Sequence, residues 1–452
     1  MSDTRTDSPS GLAAPLIAAL AARTAAVGVI GLGYVGLPLA VAAARAGHPV
    51  IGFDVDAEKV DLLAAGRSYI ESVSPETLRA EIDGKRFTAT ADFSRLAACD
   101  VVVICVPTPL TRQREPDLGY VEQTVETIAR HRKAGATIIL ESTTWPWTTE
   151  TVVKAILEAD GARSGVDFFL GFSPEREDPG NRNFGTVTIP KIVSGDGADA
   201  LAIVSAFYGS VVEKVVPVSS PRTAEAVKIT ENIFRAVNIA LVNELKLIYD
   251  AMDIDVWEVI DAAATKPFGF MPFYPGPGLG GHCIPIDPFY LTWKAREYNV
   301  PTRFIELAGE INVSMPRYVV ARLERELDRR FARSLGAARV LIVGLAYKKN
   351  VPDIRESPAF AIMHLLEERG TRFDYHDPHV PEVPPTREHA VYRGRRSVPL
   401  TAESLAGYDA VLLVTDHDAL DYGLMVERAG LILDTRNAFG RRGLASERIA
   451  KA

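Results

Sequence analysis

The stretch AVGVIGLGYVGLPLAVAAARAGHPVIGFD, residues 26–54, decides the fold of the N-terminal half of the chain. An apolar segment at 27–30 leads into GLGYVG at 31–36, a G-x-G-x-x-G pattern, and an alanine-rich helix is predicted to follow. Gly47 ends that helix, and a second apolar segment ends in Asp54, 23 residues beyond the first glycine. This order of strand, glycine turn, helix, strand and acid is typical of a dinucleotide-binding unit.

The same turn predicts the cofactor. Glycines let the backbone approach a pyrophosphate at a helix N-terminus, where the helix dipole favours negative charge. We expect Asp54 to accept hydrogen bonds from the adenosine ribose and to repel a 2′-phosphate, which favours NAD over NADP. Lys59 is expected to add one contact to the pyrophosphate or the ribose. The predicted cofactor contacts of this region are Gly31, Gly33, Tyr34, Val35, Gly36, Asp54 and Lys59.

Apolar runs of strand length, such as DVVVICVPTP (100–109), then alternate with helical segments. That alternation predicts a doubly wound parallel sheet with helices on both faces. Ligands bind beyond the carboxyl ends of the strands in such sheets, so the residues directly after those ends are candidate contacts, with ordinary turn residues as the alternative. These candidates are Val106, Pro107, Thr108, Ser142, Thr143, Ser173, Pro174 and Glu175.

Composition argues against several classes of protein. The net charge is −8, which disfavours a nucleic-acid partner. The longest apolar runs are of strand length, so no membrane span is predicted, and no metal site is predicted. The three cysteines cannot all pair, which favours a reducing cytoplasm; Cys99 and Cys105 are expected to be small core residues. Residues 1–24 are interpreted as a mobile N-terminal tail with a possible short helix.

A long helix is predicted from about residue 222 to 251, where the sequence runs without Gly or Pro. Its apolar residues occupy more than one face, so we expect it to join two domains and to contact a second subunit. Lys228 and Asn232 are spaced i, i+4 and project from the same face. A solvated surface position is the ordinary alternative for such a lysine.

A second α/β unit begins near residue 338 and repeats the plan of the first, with Gly344, Gly370 and Asp377 in the places of Gly31, Gly47 and Asp54. Its turn is basic instead of glycine-rich. Cations beside a helix N-terminus suit a diphosphate, and a solvated basic turn is the alternative. The second unit suggests that the substrate also carries a nucleotide. The basic residues singled out in the turn, and just past a later strand, are Lys348, Lys349, Arg355 and Arg436.

The stretch PGPGLGGHCIPIDP (275–288) places Cys283 in a run with four glycines and four prolines. Glycines let a ligand lie against the backbone, and prolines hold the thiol in one place. A buried structural cysteine is the alternative. Because such a cysteine normally lies in an apolar strand or helix, the pattern favours a catalytic thiol.

Several ordered motifs together resemble one family. They are GLGYVGLPLA, VPTP, SPE, KITEN, GGHCIPID, GLAYKKNVPDIRES and LILDTRN. From about residue 25 to 445 the chain resembles the UDP-glucose/GDP-mannose dehydrogenase family. The resemblance implies an α/β fold of two Rossmann-like doubly wound parallel-sheet domains joined by a long central helix. The implied domains are an NAD-binding domain at 25–218, a central dimerisation region with the cysteine loop at 219–320, and a UDP-sugar-binding domain at 321–452.

The resemblance also implies chemistry and roles. The family oxidises a sugar C6 alcohol to a carboxylate by four electrons, using two NAD, in a homodimer or larger homo-oligomer. Carried over by motif, Cys283 is the nucleophile, Lys228 and Asn232 stabilise oxyanions, Asp287 and Thr143 position water, and Glu175 acts in hydrolysis. Arg355 is implied as a cofactor contact. The implied contacts to the UDP-sugar substrate are Glu175, Lys228, Asn232, Gly280, Gly281, Lys348 and Arg436.

The identity of the sugar depends on departures from the pattern of UDP-glucose enzymes. Ile286 stands where those enzymes typically carry Lys, and Pro179 falls at a second acid of their PEFLAEG-like run. These departures resemble the UDP-N-acetylglucosamine 6-dehydrogenases of surface polysaccharide biosynthesis, with the N-acetylmannosamine and N-acetylgalactosamine epimers as alternatives and UDP-glucose behind them. Two readings of other classes stay open, a two-electron hydroxyacid dehydrogenase and a non-catalytic nucleotide-sugar sensor.

Overall fold

The computed structural model describes residues 11–70, 72–111, 115–177, 185–281, 286–386 and 389–452 of the chain. The chain divides into two units. The first consists of Met1–Glu231 and Phe289–Val300, and the second of Asn232–Pro288 and Pro301–Ala452. Within the described ranges, none of the helices is long and apolar enough to cross a membrane.

The first unit is built on an eight-stranded sheet with the order β3-β2-β1-β4-β5-β6-β7-β8. All neighbouring strands are parallel except β6 and β7, which run antiparallel. The chain reverses its direction of winding between β1 and β4, and the carboxyl ends of these strands form the crevice where such sheets bind dinucleotides. The strands are β1 (Val27–Ile30), β2 (Val50–Phe53), β3 (Phe87–Thr90), β4 (Val101–Ile104), β5 (Thr137–Leu140), β6 (Phe169–Phe172), β7 (Lys191–Gly195) and β8 (Val215–Pro217).

Helices pack against this sheet because its strands are apolar on both faces; β1, β4, β5 and β6 are buried along their whole length. A parallel sheet of this kind needs a crossover helix between successive strands. The helices of the first unit are α1 (Ala13–Ala21), α2 (Gly36–Arg45), α3 (Ala57–Ala64), α4 (Pro75–Asp83), α5 (Gly119–His131), α6 (Lys154–Glu158) and α7 (Ala198–Gly209).

The short helix expected within residues 1–24 is observed as α1, but this part of the segment is packed and not a mobile tail. Ala13, Leu16 and Leu20 of this helix are buried in the hydrophobic core of the first unit. They pack against α7, which lies far along the chain. The sequence does not predict this packing, because the helix that buries the alanine-rich segment lies far along the chain.

Helix α8 (Pro221–Ala251) runs from the first unit into the second, α9 (Val256–Ala264) follows, and α10 (Asp287–Glu297) leads back. The observed α8 spans 31 residues and confirms the predicted long helix.

The second unit contains a five-stranded, wholly parallel sheet with the order β10-β9-β11-β12-β13. This is the other common order of doubly wound sheets, so the prediction of two such domains is confirmed. Its elements are α11 (Arg303–Phe331), β9 (Arg339–Val343), α12 (Pro358–Glu368), β10 (Arg372–His376), α13 (Ala402–Leu405), β11 (Ala410–Leu413), α14 (Tyr422–Arg428), β12 (Ile432–Asp434) and β13 (Ile449–Lys451).

Asp377, at the end of β10, is a structural group. Its Oδ2 accepts hydrogen bonds from the backbone amides of Leu345 and Ala346, at 2.6 and 2.9 Å, and lies 3.0 Å from Nε2 of His417. Its Oδ1 accepts two more amides, 2.8 and 3.0 Å away. Burial alone would raise the pKa of this carboxyl, but His417 and the amides outweigh burial and lower it.

Replacing Asp377 with Asn should lower the free energy of unfolding by about 2–4 kcal/mol at pH 7, because an amide group would face backbone donors that a carboxylate accepts. A folded-state pKa below the ordinary value of about 4 means that this stabilisation is present above pH 4 and is lost as the pH falls below it. Thermal unfolding followed by circular dichroism measures the change. Glu382→Gln, which removes an exposed ion pair with Arg396, is the control and should leave the midpoint nearly unchanged.

Candidate active site

The glycines in the turn after β1 are present for two different reasons. Gly31 has a φ of +90°, and a Cβ there would lie 2.7 Å from the carbonyl oxygen of Cys105. A Cβ on Gly36, the first residue of α2, would lie 1.9 Å from the Gly31 oxygen. Both are therefore required by packing. A Cβ on Gly33 would meet open space, so its glycine is explained by the approach of a ligand. The turn thus fits the pyrophosphate of a dinucleotide.

Asp54 is oriented by this turn. It follows β2, and its Oδ2 accepts a hydrogen bond from the Leu32 amide at 2.9 Å. Its Oδ1 accepts the Asp56 amide at 3.0 Å. The ammonium of Lys59 lies 3.8 Å from Oδ2, so Lys59 sits beside the carboxylate. Two backbone bonds leave lone pairs on both oxygens for ribose hydroxyls.

The loops after β4 and β5 bring the strand-end candidates Val106, Pro107, Thr108 and Thr143 together. The Thr108 hydroxyl donates to the Thr143 carbonyl at 2.7 Å, and the Ser142 hydroxyl donates to the Val106 carbonyl at 2.7 Å. The hydroxyl of Tyr290 also donates to the Thr108 carbonyl. These bonds fix the two loops at the same edge of the sheet, where the sequence predicts ligand contacts.

Glu175, after β6, belongs to a buried charged cluster that the sequence reasoning missed. The ammonium of Lys191 lies 3.7 Å from Glu175 Oε2 and 2.5 Å from Oε1 of Glu141. The hydroxyl of Tyr208 donates to the same Glu141 oxygen at 2.6 Å. Burial would lower the pKa of Lys191, but the two carboxylates outweigh burial and raise it. Lys191 is therefore a fixed positive charge beside Glu175. Charged residues at the first position of β7 and directly after β5 were the available signal.

The loop that carries Glu175 is anchored on both sides. Arg176 forms an ion pair with Glu231 of α8 at 2.5 Å and donates to the Pro190 carbonyl at 2.7 Å. The amide of Glu177 donates to Glu175, and Thr186 donates to Glu177. Burial and the neighbouring Glu175 raise the pKa of Glu177 to about 7. Near neutral pH this loop therefore exchanges a proton at Glu177.

Helix α8 carries both predicted oxyanion donors at buried positions. Lys228 is 7% exposed and Asn232 is 3% exposed, so the solvated alternative for Lys228 is wrong. Asn232 donates a hydrogen bond to Asp287, the buried first residue of α10. The structure therefore brings together two predicted catalytic residues of the second unit.

Glu225, also on α8, is a second residue that sequence reasoning missed. Its carboxylate accepts the amides of Trp147 and Thr149 at 2.7 and 2.8 Å, and the Thr149 hydroxyl at 2.7 Å. It thereby caps a π-helical turn at Thr148–Val153, a rare element that often marks functional sites. Burial raises the pKa of Glu225 to about 7, and the three hydrogen bonds donated to its carboxylate oppose this shift. Glu225 ties the segment after the Thr143 loop to the helix that carries Lys228.

In the second unit the glycines before Cys283 pack on the basic turn. The Gly281 amide donates to the Arg355 carbonyl at 3.0 Å. A Cβ on Gly280 would lie 2.5 Å from the Cβ of Tyr347, and one on Gly276 would lie 2.5 Å from the Arg436 guanidinium. Packing against the protein thus explains these glycines, where ligand approach was the expected reason.

The basic residues of this region have protein partners. The guanidinium of Arg355 is held by Asp353, with Nη2 2.6 Å from Oδ2. Lys349 pairs with Asp418 at 2.6 Å, and Arg436 donates to the Val414 carbonyl at 3.0 Å. Lys348 is half-buried in the same turn. Ser357 caps α12 at the predicted helix start.

The remaining predicted residues divide between the two units. Glu175, Thr143 and Lys228 belong to the first, and Asn232 and Asp287 to the second. Cys283 and Pro179 lie outside the described residues.

Cys99 is fully buried, as predicted, and burial raises the pKa of its thiol to about 12. Among the described side chains, no group of three or more His, Cys, Asp or Glu is placed to hold a metal ion.

Comparison with known sequences covers both units. Residues 25–212 match the profile of the UDP-glucose/GDP-mannose dehydrogenase family, NAD binding domain. Residues 222–314 match the central domain of that family, and residues 341–441 match its UDP binding domain.

Individual relatives agree with these matches. The chain is 36% identical to the UDP-N-acetyl-D-glucosamine 6-dehydrogenase of Pseudomonas aeruginosa over 86% of its own length and 90% of that protein. It is 33% identical to the UDP-N-acetyl-D-mannosamine dehydrogenase of Pyrococcus horikoshii, over 86% and 89% of the two chains. The structure of UDP-D-ManNAc dehydrogenase from the same organism superimposes with a TM-score of 0.84 at 31% identity, covering 94% of this chain and 98% of that one.

Replacing Asp54 with Asn should weaken NAD binding about tenfold to 150-fold, the equivalent of a lost charged hydrogen-bond partner worth about 1.5–3 kcal/mol. Isothermal titration calorimetry with NAD measures the loss. Asp56→Asn, at an exposed helix cap of the same loop, is the matched control and should bind NAD within twofold of the wild type. Equal kcat/KM of the wild type for NAD and NADP would contradict the assignment of Asp54.

Proposed function

The chain belongs to the UDP-glucose/GDP-mannose dehydrogenase family, and from this we propose that it oxidises the C6 hydroxyl of a UDP-N-acetylhexosamine, UDP-N-acetylglucosamine, to the uronate. The relatives that act on UDP-N-acetylhexosamines support the class of substrate. Ile286, in place of the lysine typical of UDP-glucose enzymes, supports the same choice. The product would enter the synthesis of a surface polysaccharide in the cytoplasm.

The oxidation removes four electrons in two steps through a covalent intermediate. NAD, when bound, supplies the hydride acceptor for both oxidations. The alcohol first becomes an aldehyde, and the Cys283 thiolate adds to it to form a thiohemiacetal. Oxidation of this adduct gives a thioester, which water cleaves to the acid and the free thiol. One water enters and two hydrides and three protons leave for each sugar.

The observation that carries this mechanism is the hydrogen bond between the buried side chains of Asn232 and Asp287. Asp287 is the fourth residue after Cys283 in the sequence, and Asn232 lies one helical turn after Lys228 on α8. A buried amide and a buried ammonium are preorganised donors for a developing alkoxide. An ammonium near the thiol would also raise its thiolate fraction, because free cysteine titrates near pH 8.5.

Glu175 serves in hydrolysis under this proposal, with Thr143 and Asp287 positioning the water. The carboxylate needs to remain able to accept a proton from water near neutral pH. The ammonium of Lys191 lies 3.7 Å from Glu175 Oε2, and the amide of Glu177 donates a hydrogen bond to the same carboxylate. Lys191 and Glu177 are therefore positioning residues for Glu175.

UDP-N-acetylmannosamine is a second candidate substrate. The similarity to enzymes named for that sugar favours it. The two sugars differ only in the configuration at C2, which a pocket reads through a few hydrogen bonds.

The wild-type enzyme should form two NADH per sugar consumed, with the highest kcat/KM for UDP-N-acetylglucosamine by about tenfold over its C2 epimer. Absorbance of NADH and the mass of the product, across a panel of UDP-sugars, test both statements. One NADH per sugar would identify a two-electron dehydrogenase, and none would identify a sensor. Fastest turnover of UDP-glucose would contradict the proposed class of sugar.

Two variants test the covalent step. Cys283→Ser should abolish acid formation while UDP-sugar and NAD binding stay within about 1 kcal/mol, because the hydroxyl is too weakly acidic to replace the thiolate. Glu175→Gln should accumulate a thioester, visible as an adduct by intact-mass spectrometry. Glu213→Gln, at an exposed glutamate of the first unit, should show neither effect. Acid formation by Cys283→Ser near the wild-type rate would contradict the mechanism.

We also propose a homodimer through α8. Phe234, Leu241 and Ile248 are spaced seven residues apart and are 49%, 51% and 47% exposed. That spacing places them in one stripe along the helix, as in helices that pair with a partner. Phe304 and Leu307 of α11, in the same unit, are 72% and 51% exposed. A second copy of the chain would cover such apolar stripes.

Replacing both Leu241 and Ile248 with Glu should convert the dimer to a monomer at micromolar concentration, since two charges would be buried without partners. Light scattering coupled to size exclusion measures the mass. Val391→Glu, at a valine that is 84% exposed elsewhere in the second unit, is the control and should remain dimeric. A monomeric wild type would contradict the proposal.

A further inference from the structure

A cavity of about 210 Å³ lies within the second unit, apart from the residues proposed for catalysis. It is bounded by the last turns of α8, the start of α9, the middle of α11 and the C-terminal strand β13. This volume lies below the roughly 300–1,000 Å³ of typical small-molecule pockets, so the cavity is too small for a nucleotide sugar. Its lining residues are Lys246, Asp250, Asp253, Ile254, Asp255, Val256, Trp257, Arg322 and Lys451.

Lys246 is the unusual member of this lining. Three lysines of the described residues are more than nine-tenths buried: Lys191, Lys228 and Lys246. Lys191 is paired with Glu141, and Lys228 has a proposed role in the reaction. Lys246, 4% exposed, forms no ion pair or hydrogen bond with any described residue. A buried ammonium without a partner is costly, so this position favours the binding of a counter-ion.

The indole of Trp257 supplies only partial compensation. The Lys246 ammonium lies 4.1 Å from the centre of the ring, and the ammonium of Lys451 lies 5.5 Å from the same centre. Two like charges over one ring repel each other, and a desolvated cation–π contact is worth on the order of 2 kcal/mol, against a cost of several kcal/mol for burying an ion. Burial is the main cause that lowers the pKa of Lys246 to about 8. The positive charges of Arg322 and Lys451 also lower it, and Asp250 and Asp255 oppose the shift.

Two of the three acids that line the cavity already have basic partners. Asp255 pairs with Lys451 at 2.5 Å, and Asp250 pairs with Arg322 at 3.5 Å and with Arg325 at 3.1 Å. Asp253 is exposed at the surface. Among the described atoms, the buried Nε1 of Trp257 and Nε of Arg322 have no hydrogen-bond acceptor. The buried groups left without partners around the cavity are therefore donors.

We propose that this cavity binds a small oxyanion, a carboxylate or phosphate, whose oxygens accept hydrogen bonds from Lys246. Arg322 and Lys451 add positive charge around the same space. The three acids of the lining balance its three bases, so an oxyanion is favoured by its hydrogen-bond acceptors, which Lys246 and the unpaired Nε1 of Trp257 and Nε of Arg322 lack. The proposal concerns binding alone and does not depend on the identity of the oxidised sugar.

The test is calorimetric titration of the full-length protein with sodium phosphate, acetate and citrate at constant ionic strength, with chloride as the reference. Saturating UDP is present throughout, because a nucleotide-binding domain also attracts phosphate. We expect one site per chain for at least one oxyanion. Its affinity should fall at least tenfold between pH 7 and pH 9.5, as Lys246 loses its proton.

Lys246→Met should lower the affinity for the oxyanion at least tenfold, while Lys246→Arg should retain it within about threefold. Lys266→Met is the matched control, because Lys266 also lies over an aromatic ring, at 5.1 Å from Phe268, but is exposed. Should Lys246→Met fail to fold, Lys451→Met tests the same site from its edge and should weaken binding. Absence of oxyanion binding under saturating UDP, or equal binding by wild type and the folded Lys246→Met protein, would overturn the proposal.

Discussion

In both units a carboxylate at the end of the second strand accepts hydrogen bonds from the backbone turn that follows the first strand. Asp54 binds the amide of Leu32, and Asp377 binds the amides of Leu345 and Ala346. This contact fixes where each turn leaves its sheet, and so where the following helix begins. The two acids then diverge. Asp54 retains lone pairs for a ribose, whereas four amides and His417 occupy Asp377. One arrangement thus leaves a carboxylate with free lone pairs in the first unit and a fully bonded one in the second.

Buried charge in the first unit is organised around a single ammonium. The ammonium of Lys191 lies 2.5 Å from Glu141 and 3.7 Å from Glu175, and so holds both carboxylates in place. Removing a partner from such a pair leaves an uncompensated buried charge, so the cluster contributes to the stability of the first unit.

The sequence was most informative where a local pattern has one physical cause. The glycine turn, the long α8 helix and the repeated plan around Gly344 were predicted because close backbone approach, helix periodicity and turn geometry are local properties. Gly344 even shares the φ of +90° found at Gly31. The burial of Lys228 followed only from the family resemblance.

What the sequence did not predict depends on contacts between distant residues. Lys191 meets Glu141, and Glu225 meets the Trp147 segment, across 50 to 80 positions. The sequence also did not predict that β7 runs antiparallel to β6. The direction of a strand depends on the connection that leads to it and on the strands beside it. A lone charged residue in an apolar strand indicates that a partner exists but not which residue it is.

The packing of α1 against α7 has a consequence for biosynthesis. Roughly 180 residues separate the two helices, and at the usual rate of about 5–20 residues per second their synthesis takes on the order of 10–40 s. During that interval Leu16 and Leu20 have been translated but lack the helix that buries them. The nascent chain therefore exposes an apolar N-terminal segment until α7 leaves the ribosome, and chaperones that recognise such segments have this window in which to bind it.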